Sequence, residues 1–349
     1  MASHDFHRLT VAAVDPLTDD SAAVTFTVPA ELREAFAFSA GQWLTVRLGE
    51  ERRSYSICAP AGRAPRIGVR VLAGGVVSGQ LVHSLSAGDV LDVQAPSGTF
   101  SPDTTVAADH VLVAAGSGIT PVLSIAASVL EGHPDSTVTL IYGNRRSDSV
   151  MFVDDVADLK DAHPARMRLV HVLSREPQEV ELFSGRLDAA KLRALLPATV
   201  DVASVDHWWL CGPFGMVTDA IAVLDELGVD PAAVHRELFF VGEDPPQQGR
   251  PADAPVGVGA EVTVVLDGRR TVSTVAPGVT VLDGAQRNRP DLPFACKGGV
   301  CGTCRALVTE GAVTMRRNYA LEAAEVGQGY VLTCQALPTT DVVTVDFDT

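Results

Sequence analysis

Residues 291–308 have the sequence DLPFACKGGVCGTCRALV. Three cysteines, Cys296, Cys301 and Cys304, fall within nine positions, and a fourth, Cys334, follows in VLTCQALP. The chain has 349 residues and only six cysteines, so four of the six are concentrated near its C-terminal end. Glycines separate the clustered cysteines, and glycine lets the backbone turn tightly and approach sulfur atoms closely. The segment therefore predicts a site built from thiolates.

The spacing Cys-x4-Cys-x2-Cys, followed by a distant cysteine, is the spacing that holds a [2Fe–2S] cluster in plant-type ferredoxins. Two bridged irons need four thiolates, and three of them must come from one tightly wrapped loop. A structural zinc site is the main alternative, but such sites usually consist of two short Cys-x2–4-Cys pairs. Cys334 has no neighbouring cysteine. We therefore predict that Cys296, Cys301, Cys304 and Cys334 bind a [2Fe–2S] cluster.

The composition argues against several other kinds of partner. The net charge of −16 argues against nucleic acid. Apolar stretches such as HVLVAA and HWWLC are much shorter than the roughly 20 residues that span a membrane. The N-terminal sequence MASHDFHRLT has no basic segment followed by an apolar core, so we expect no signal peptide and a cytoplasmic protein. In that reducing compartment, clustered cysteines bind metal or carry out redox chemistry.

Three domains and a linker are expected from the patterns along the chain. Residues 1–105 alternate short apolar and polar stretches with turns, which predicts an antiparallel β-barrel. Residues 106–240 alternate strands with helices, which predicts an α/β domain with a parallel sheet. Residues 241–260, VGEDPPQQGRPADAPVGVGA, contain four prolines and four glycines and are predicted to be a linker. Residues 261–349 form the last domain and begin with a predicted hairpin at Asp267-Gly268.

A candidate dinucleotide loop opens the second domain. HVLVAAG predicts a buried strand, and TPVLSIAASVLEG predicts a helix with Thr120 as N-cap, Pro121 at its first position and Gly132 after its end. The loop between them, AAGSGITP, has the strand-to-helix context that dinucleotide loops require. Its pattern of Gly116, Gly118 and Pro121 nevertheless differs from the usual G-x-G-x-x-G.

Arginines follow the next two predicted strands of this domain. Arg145 and Arg146 lie in YGNRRS, and Ser174-Arg175 lies in LSRE. Arginine near the adenosine ribose favours a 2′-phosphate, which indicates NADPH, although solvated loop arginines are the alternative interpretation. The loop CGPFGM, residues 211–216, follows a later strand and would lie at the same sheet edge.

A flavin is expected because a [2Fe–2S] cluster accepts single electrons, whereas a nicotinamide nucleotide gives two as hydride. In RRSYSIC, Arg53 can neutralise a flavin phosphate, Tyr55 can lie against the ring, and Ser56 can hydrogen-bond the reactive ring nitrogen. Gly75 and Ser78 in GGVVSGQL lie at a predicted helix start that suits a pyrophosphate. Taken singly, each of these motifs is equally compatible with ordinary surface residues.

In combination, Arg-x-Tyr-Ser, Gly-x-x-Ser, Gly-Ser-Gly-Ile-Thr-Pro and Cys-Gly-Pro resemble the ferredoxin–NADP reductase superfamily. The C-terminal domain resembles a plant-type ferredoxin of α+β, β-grasp fold. With IYGNRRSDSVMF, ACKGGVCGTC and GYVLTCQALPTTDVVTVDFD, nearly the whole chain is similar to the reductase subunits of phenylacetyl-CoA epoxidase complexes. The resemblance implies FAD on the barrel and a nicotinamide dinucleotide on the α/β domain. The residues it implies are Arg53, Tyr55, Ser56, Gly75 and Ser78 for FAD, and Gly116, Gly118, Thr120, Pro121, Cys211 and Gly212 for the dinucleotide, with the 2′-phosphate near Ser174 and Arg175.

The end of the α/β domain departs from the pattern of the family. An acidic residue followed by Arg-Phe is expected there, whereas this chain has HRELFF, residues 235–240. Glu237 supplies the acidic residue and is expected to lie at the cofactor site. The positions of Phe239 and Phe240 relative to the flavin are left open.

The function implied is that of a reductase that passes electrons from NADPH through FAD and a [2Fe–2S] cluster to the oxygenase component of a multisubunit monooxygenase of phenylacetate degradation. No acid, base or nucleophile of the protein is required, so no catalytic residue is predicted. Two alternatives stay open. One is the reductase of a Rieske-type, steroid or aromatic hydroxylase, and the other is a non-catalytic electron carrier or redox sensor.

Overall fold

The computed structural model describes residues 5–239, 259–321 and 323–349. Asp5–Glu237 forms one compact unit, and the described residues from Leu238 onwards belong to a second. The predicted linker, residues 241–260, lies almost wholly outside the described residues, as does Phe240. The predicted domain boundaries at residues 105, 240 and 260 stay predictions.

The N-terminal part of the first unit is an antiparallel barrel, as predicted. Its strands occur in the order β4-β3-β6-β1-β2-β5, and a bridge between Ile57 and Ile67 joins the two ends. Side chains that alternate along the strands fill the interior, among them Phe26, Leu44 and Val93. The elements are β1 (Phe6–Thr18), β2 (Ser21–Thr27), β3 (Trp43–Leu48), β4 (Glu51–Ser56), β5 (Arg66–Arg70), α1 (Val76–His83) and β6 (Val90–Gln94).

The rest of the first unit is an α/β domain with a five-stranded, all-parallel sheet in the order β11-β10-β7-β8-β9. The chain builds outwards from β7 through β8 to β9, and then returns to the other side of β7. Ligands of such folds bind where the order reverses, at the carboxyl ends of β7 and β10. The elements are β7 (Asp109–Ala115), α2 (Ile119–Gly132), β8 (Thr137–Asn144), α3 (Val153–Ala162), β9 (Met167–Leu173), α4 (Ala189–Thr199), β10 (His207–Cys211), α5 (Phe214–Glu226) and β11 (Val234–Glu237).

Helix α2 begins earlier than predicted, at Ile119, with Gly118 as its N-cap, and Gly132 is its last residue. Thr120 is therefore not the N-cap, and Pro121 is not the first helical residue. The reason is a single 3₁₀ turn over Gly116–Gly118 that leads directly into α2. Thr120 Oγ1 donates to the Ser117 carbonyl at 3.0 Å and so stabilises this junction from within the helix.

Helix α2 also joins the barrel to the α/β domain. Ser124 Oγ donates to the Ala59 carbonyl at 2.6 Å, and the Ala61 N–H donates to Ser128 Oγ at 2.9 Å. A Cβ atom at Gly68 of β5 would lie only 2.4 Å from Thr120 Cγ2. These contacts fix the barrel strands relative to the dinucleotide-loop candidate at the start of α2.

The second unit has a five-stranded sheet in the order β13-β12-β18-β14-β16, in which β12 and β18 run parallel. The predicted hairpin is confirmed, since Asp267 and Gly268 have φ angles of 52° and 69° between antiparallel strands. This is the predicted β-grasp arrangement. The elements are β12 (Ala260–Leu266), β13 (Arg269–Val275), α6 (Val281–Ala285), β14 (Arg305–Glu310), β15 (Val313–Met315), α7 (Ala323–Gly327), β16 (Tyr330–Leu332), β17 (Ala336–Pro338) and β18 (Val342–Asp346). In the described parts of both units, every helix is too short or too polar to cross a membrane.

Three histidines meet at the amino end of the parallel sheet, away from the dinucleotide loop. His110 of β7 is almost fully buried and accepts a hydrogen bond from Trp209 Nε1 through Nδ1 at 3.1 Å. His207 stacks on His110, and His235 stacks on Trp209 with ring centroids 4.1 Å apart. Burial, and then the neighbouring His207, lowers the pKa of His110 to about 4.

This burial predicts acid sensitivity of the first unit. Because the pKa of His110 is lower in the folded protein than in the unfolded chain, the unfolded chain binds more protons between about pH 6.5 and pH 4. The free energy of unfolding should therefore fall as the pH falls through that window, by up to ~1.4 kcal/mol per pH unit. Urea unfolding can be followed by tryptophan fluorescence, since Trp43, Trp208 and Trp209 all lie in this unit.

His110→Asn keeps an acceptor near Trp209 Nε1 and should reduce this pH dependence; His171 and His235, whose pKa values burial also lowers, supply the remainder. His83→Asn, a change at an exposed histidine of α1, is the matched control and should leave it unchanged. An equal slope in wild type and His110→Asn would contradict the assignment of the acid sensitivity to His110.

Candidate functional site

The loops after β7 and β10 touch at the point where the strand order reverses. A Cβ atom at Gly118 would lie 2.1 Å from the Cys211 carbonyl oxygen, and one at Gly212 would lie 3.2 Å from the Ala115 nitrogen. Gly116 has a φ of 55°, which also favours glycine. The predicted loops are therefore brought together, and only glycine fits between them. They lie at the carboxyl edge of the parallel sheet, which in such folds receives a dinucleotide.

Thr120 and Pro121 of the predicted loop are buried within α2. The Thr120 hydroxyl donates a hydrogen bond to the Ser117 carbonyl, so it stabilises the turn from within the helix. Direct contact of these two residues with a dinucleotide stays a prediction.

The loops after β8 and β9 continue side by side beyond the ends of the strands. The Ser174 N–H donates to the Asn144 carbonyl at 2.9 Å, and the Arg175 N–H donates to the Arg145 carbonyl at 2.8 Å. Both arginines are exposed at the same edge of the sheet as the glycine loops. The arrangement therefore places two exposed cationic side chains together at this edge of the sheet.

Glu176 also lies at this edge, which the sequence interpretation missed. Its carboxylate accepts from the Ser147 N–H at 2.8 Å and from Ser147 Oγ at 2.9 Å. These hydrogen bonds lower the pKa of Glu176. One feature of the sequence could have indicated this position of Glu176. The residue directly follows Ser174-Arg175, and the arginines attract a neighbouring carboxylate to the same loops.

Strand β4 carries the three predicted flavin residues. Arg53 and Tyr55 are two positions apart and so share one face of the strand, whereas Ser56 is on the other. Arg53 Nη1 donates to Glu51 Oε2 at 2.8 Å, and Tyr55 packs against the barrel core, where burial raises its pKa. An arginine and a tyrosine on one face fit a phosphate and an aromatic ring, respectively.

Gly75 is the N-cap of α1, as the sequence predicted for the start of a helix. Ser78 Oγ donates to the Gly75 carbonyl at 3.2 Å and accepts from the Leu72 N–H at 3.1 Å. The Ser78 hydroxyl therefore shapes the turn, and the first-turn N–H groups of α1 are the groups that suit a pyrophosphate.

Glu237 connects the barrel to the parallel sheet at the reversal point. Ser56 Oγ of β4 donates to Glu237 Oε2 at 3.0 Å, and Glu237 is paired in register with Cys211 on the neighbouring strand. Burial raises the pKa of Glu237 to about 8, and burial together with Glu237 raises the pKa of Cys211. A neutral carboxyl group, a hydroxyl and a neutral thiol therefore meet where the two candidate binding surfaces join. Perturbed groups of this kind are typical of functional sites.

The four predicted cluster cysteines form two thiol pairs. Cys301 hydrogen-bonds Cys296 and lowers the pKa of the Cys296 thiol to about 6, while the same bond raises the pKa of Cys301. A hydrogen bond with Cys334 likewise raises the pKa of Cys304. All four cysteines are free thiols.

The four thiols also bear on the choice between a [2Fe–2S] cluster and zinc. Within residues 5–239, 259–321 and 323–349, no three side chains of the usual ligand types converge as one metal ion would require. Two thiol pairs are compatible with two irons that have two protein ligands each. Gly299 and Gly302, with φ angles of 80° and 68°, wrap the loop that carries three of the thiols. The residues present therefore fit a [2Fe–2S] cluster.

Three protein-family models match the chain in succession. They are the oxidoreductase FAD-binding domain at residues 8–101, the oxidoreductase NAD-binding domain at residues 112–221, and the 2Fe-2S iron-sulfur cluster binding domain at residues 264–339. The first two cover the barrel and the parallel sheet, and the third covers the four paired cysteines. These matches confirm the predictions that the chain binds FAD, a nicotinamide dinucleotide and a [2Fe–2S] cluster.

Relatives extend over the whole chain. One subunit of the 1,2-phenylacetyl-CoA epoxidase from Escherichia coli (strain K12) is 42% identical over 355 residues, covering 98% of each chain. The ferredoxin reductase component of 3-ketosteroid-9-alpha-monooxygenase from Rhodococcus rhodochrous is 33% identical, covering 97% of this chain and 96% of its own. The solved structure of phthalate dioxygenase reductase aligns with a TM-score of 0.61 and 21% identity over 98% of each chain. This last likeness confirms the predicted fold.

The buried carboxyl group predicts a pH dependence of hydride transfer from nicotinamide to flavin. Above pH 8, an ionised Glu237 would place a negative charge next to Ser56 of the strand whose Arg53, Tyr55 and Ser56 would hold FAD, and negative charge there would disfavour electron gain by the flavin. The rate of NADPH oxidation with ferricyanide as acceptor should therefore fall about tenfold one pH unit above that pKa, where about a tenth of the carboxyl groups stay neutral.

Glu237→Gln should remove this fall and leave a nearly flat profile, whereas Glu131→Gln, at an exposed carboxylate of α2, should behave as wild type. Identical profiles for wild type and Glu237→Gln would rule out Glu237 as the titrating group.

Proposed function

Since this chain belongs to the family of oxygenase reductases that combine FAD-binding, NAD-binding and [2Fe–2S] domains, we propose that it is the reductase of a phenylacetyl-CoA epoxidase complex. The observation that carries the proposal is the 42% identity to a subunit of that epoxidase, over 98% of both chains. Electrons pass from a pyridine nucleotide through the protein to an oxygenase. An oxygenase component is the proposed partner, and the reducing cytoplasm, which keeps thiols free, is the proposed location.

The domain limits and site residues are proposed as the sequence analysis gave them. The domains are 1–105, 106–240 and 261–349, with a linker at 241–260. FAD would be held by Arg53, Tyr55, Ser56 and the turn from Gly75 to Ser78. The dinucleotide would lie on the loops of Gly116, Gly118, Thr120, Pro121 and Cys211–Gly212, with Arg145, Ser174 and Arg175 at its adenosine end. Glu237 would lie at the cofactor site.

When bound, the flavin exchanges hydride for single electrons, and the cluster carries those electrons one at a time. The chain itself supplies position and electrostatics. The glycine loops let the backbone approach the dinucleotide, and Ser56 and Glu237 place neutral hydrogen-bonding groups at the junction of the two binding surfaces. No side chain is required to act as a nucleophile.

NADPH is the proposed coenzyme because Arg145 and Arg175 are exposed together on adjacent loops beyond the carboxyl ends of β8 and β9. Arg175→Ala should raise the KM for NADPH about ten- to a hundredfold, the usual effect of losing a charge-assisted hydrogen bond to phosphate. The KM for NADH should change little. Steady-state ferricyanide reduction measures both, with Arg63→Ala at an exposed barrel arginine as control. An equal increase for the two coenzymes would refute a contact with the 2′-phosphate.

The partner is tested by reconstitution with a purified phenylacetyl-CoA epoxidase oxygenase. NADPH-dependent consumption of phenylacetyl-CoA is expected with wild-type protein. Cys301→Ser should abolish it, since one iron loses a ligand, but should retain ferricyanide reduction because the barrel and parallel sheet are unchanged. The oxygenase of a 3-ketosteroid-9-alpha-monooxygenase, chosen because its reductase is 33% identical to this chain, is the competing acceptor. Faster turnover with that acceptor would reassign the client, and no turnover with any acceptor would favour a carrier or sensor.

A further inference from the structure

Lys297, directly after Cys296, has an unusual backbone conformation. Its φ of 49° lies in the left-handed region that side chains other than glycine seldom adopt. Its Nζ donates to Asp283 Oδ1 at 2.8 Å and to Gln286 Oε1 at 3.0 Å, and the side chain is only 12% exposed. The side chain is therefore anchored on α6 and its immediate continuation. The carbonyl group of Lys297 accepts a hydrogen bond from a side chain distant in sequence.

Gln335, directly after Cys334, meets that carbonyl group. Its Nε2 donates to the Lys297 carbonyl oxygen at 2.8 Å, although the two residues are 38 positions apart. The same nitrogen lies 3.5 Å from Cys334 Sγ. A carboxamide nitrogen carries two hydrogens, so it can serve both acceptors at once. The side chain is nearly buried, with 7% exposure.

Two backbone hydrogen bonds and one packing contact fix the position of Gln335. Its backbone N–H donates to the Leu332 carbonyl at 2.8 Å, and its carbonyl accepts from the Arg316 N–H at 3.0 Å. A Cβ atom at Gly299 would lie 3.1 Å from Gln335 Cγ, so the side chain also packs on the glycine of the cysteine loop. The amide group is therefore preorganised between the loop of Cys296 and the segment of Cys334.

We propose that Gln335 is a positioning residue for the [2Fe–2S] centre: its amide joins the loop of Cys296 to the segment of Cys334 and directs an N–H group at the Cys334 sulfur. The inference rests on the proposed function in that it requires the cluster. Two consequences follow. The amide keeps one ligand of each thiol pair in place, which slows loss of the cluster, and an N–H directed at a ligand sulfur stabilises added negative charge, which raises the reduction potential.

The test compares Gln335→Met and Gln335→Glu in the full-length protein. Both side chains have nearly the length of glutamine; methionine cannot donate to the Lys297 carbonyl, and glutamate cannot donate to it once ionised. Gln328→Met, at an exposed glutamine of the same unit, is the matched control. The measurements are cluster loss in the presence of a chelator, followed by visible absorption and iron content, and the midpoint potential by dye titration. Ferricyanide reduction by NADPH reports separately on the first unit.

Both Gln335 variants should lose the cluster about ten- to a hundredfold faster than the control, the usual cost of removing a group that orients a metal ligand. Their midpoint potentials should be lower, with ferricyanide reduction unchanged. Cluster retention and potential equal to the control in either folded variant overturn the inference while the proposed function stands. If the wild-type chain takes up no cluster, both fail. Should Gln335→Met not fold, the nearly isosteric Gln335→Glu decides the outcome alone.

Discussion

The reversal of strand order between β7 and β10 is the constraint on which the first unit depends. It brings the carboxyl ends of two adjacent parallel strands together, and only glycine at position 118 fits against the Cys211 carbonyl. The neighbouring strand pairing sets Cys211 beside Glu237, and β11 carries Glu237 to Ser56 of the barrel. One sheet topology thus creates the dinucleotide edge and joins it to the proposed flavin surface.

The second unit holds four thiols in two pairs. The loop that carries three of these thiols turns at Gly299 and Gly302, whose φ angles are positive. Side chains complete it, since the Lys297–Asp283 ion pair and the Gln335 amide connect the loop to segments distant in sequence. Because these groups are largely shielded from solvent, water weakens their hydrogen bonds little.

Local patterns in the sequence predicted the architecture. They carry no information about contacts between residues far apart in the chain. The barrel, the parallel sheet and the hairpin at Asp267 follow from periodicity and turn residues, and the cysteine spacing indicated the cluster chemistry. The start of α2 was misplaced because a 3₁₀ turn, which has no strong sequence signal, extends the helix to Ile119. The Ser56–Glu237 and Lys297–Gln335 hydrogen bonds join residues 181 and 38 positions apart, so no periodicity could indicate them.

The central claim is that one chain carries a connected path from NADPH to a [2Fe–2S] cluster. Anaerobic titration of the purified protein with NADPH, followed by visible absorption, tests it most directly. The account predicts uptake of about three electrons per chain, two by the flavin and one by the cluster. Bleaching of the flavin while the cluster stays oxidised would contradict it.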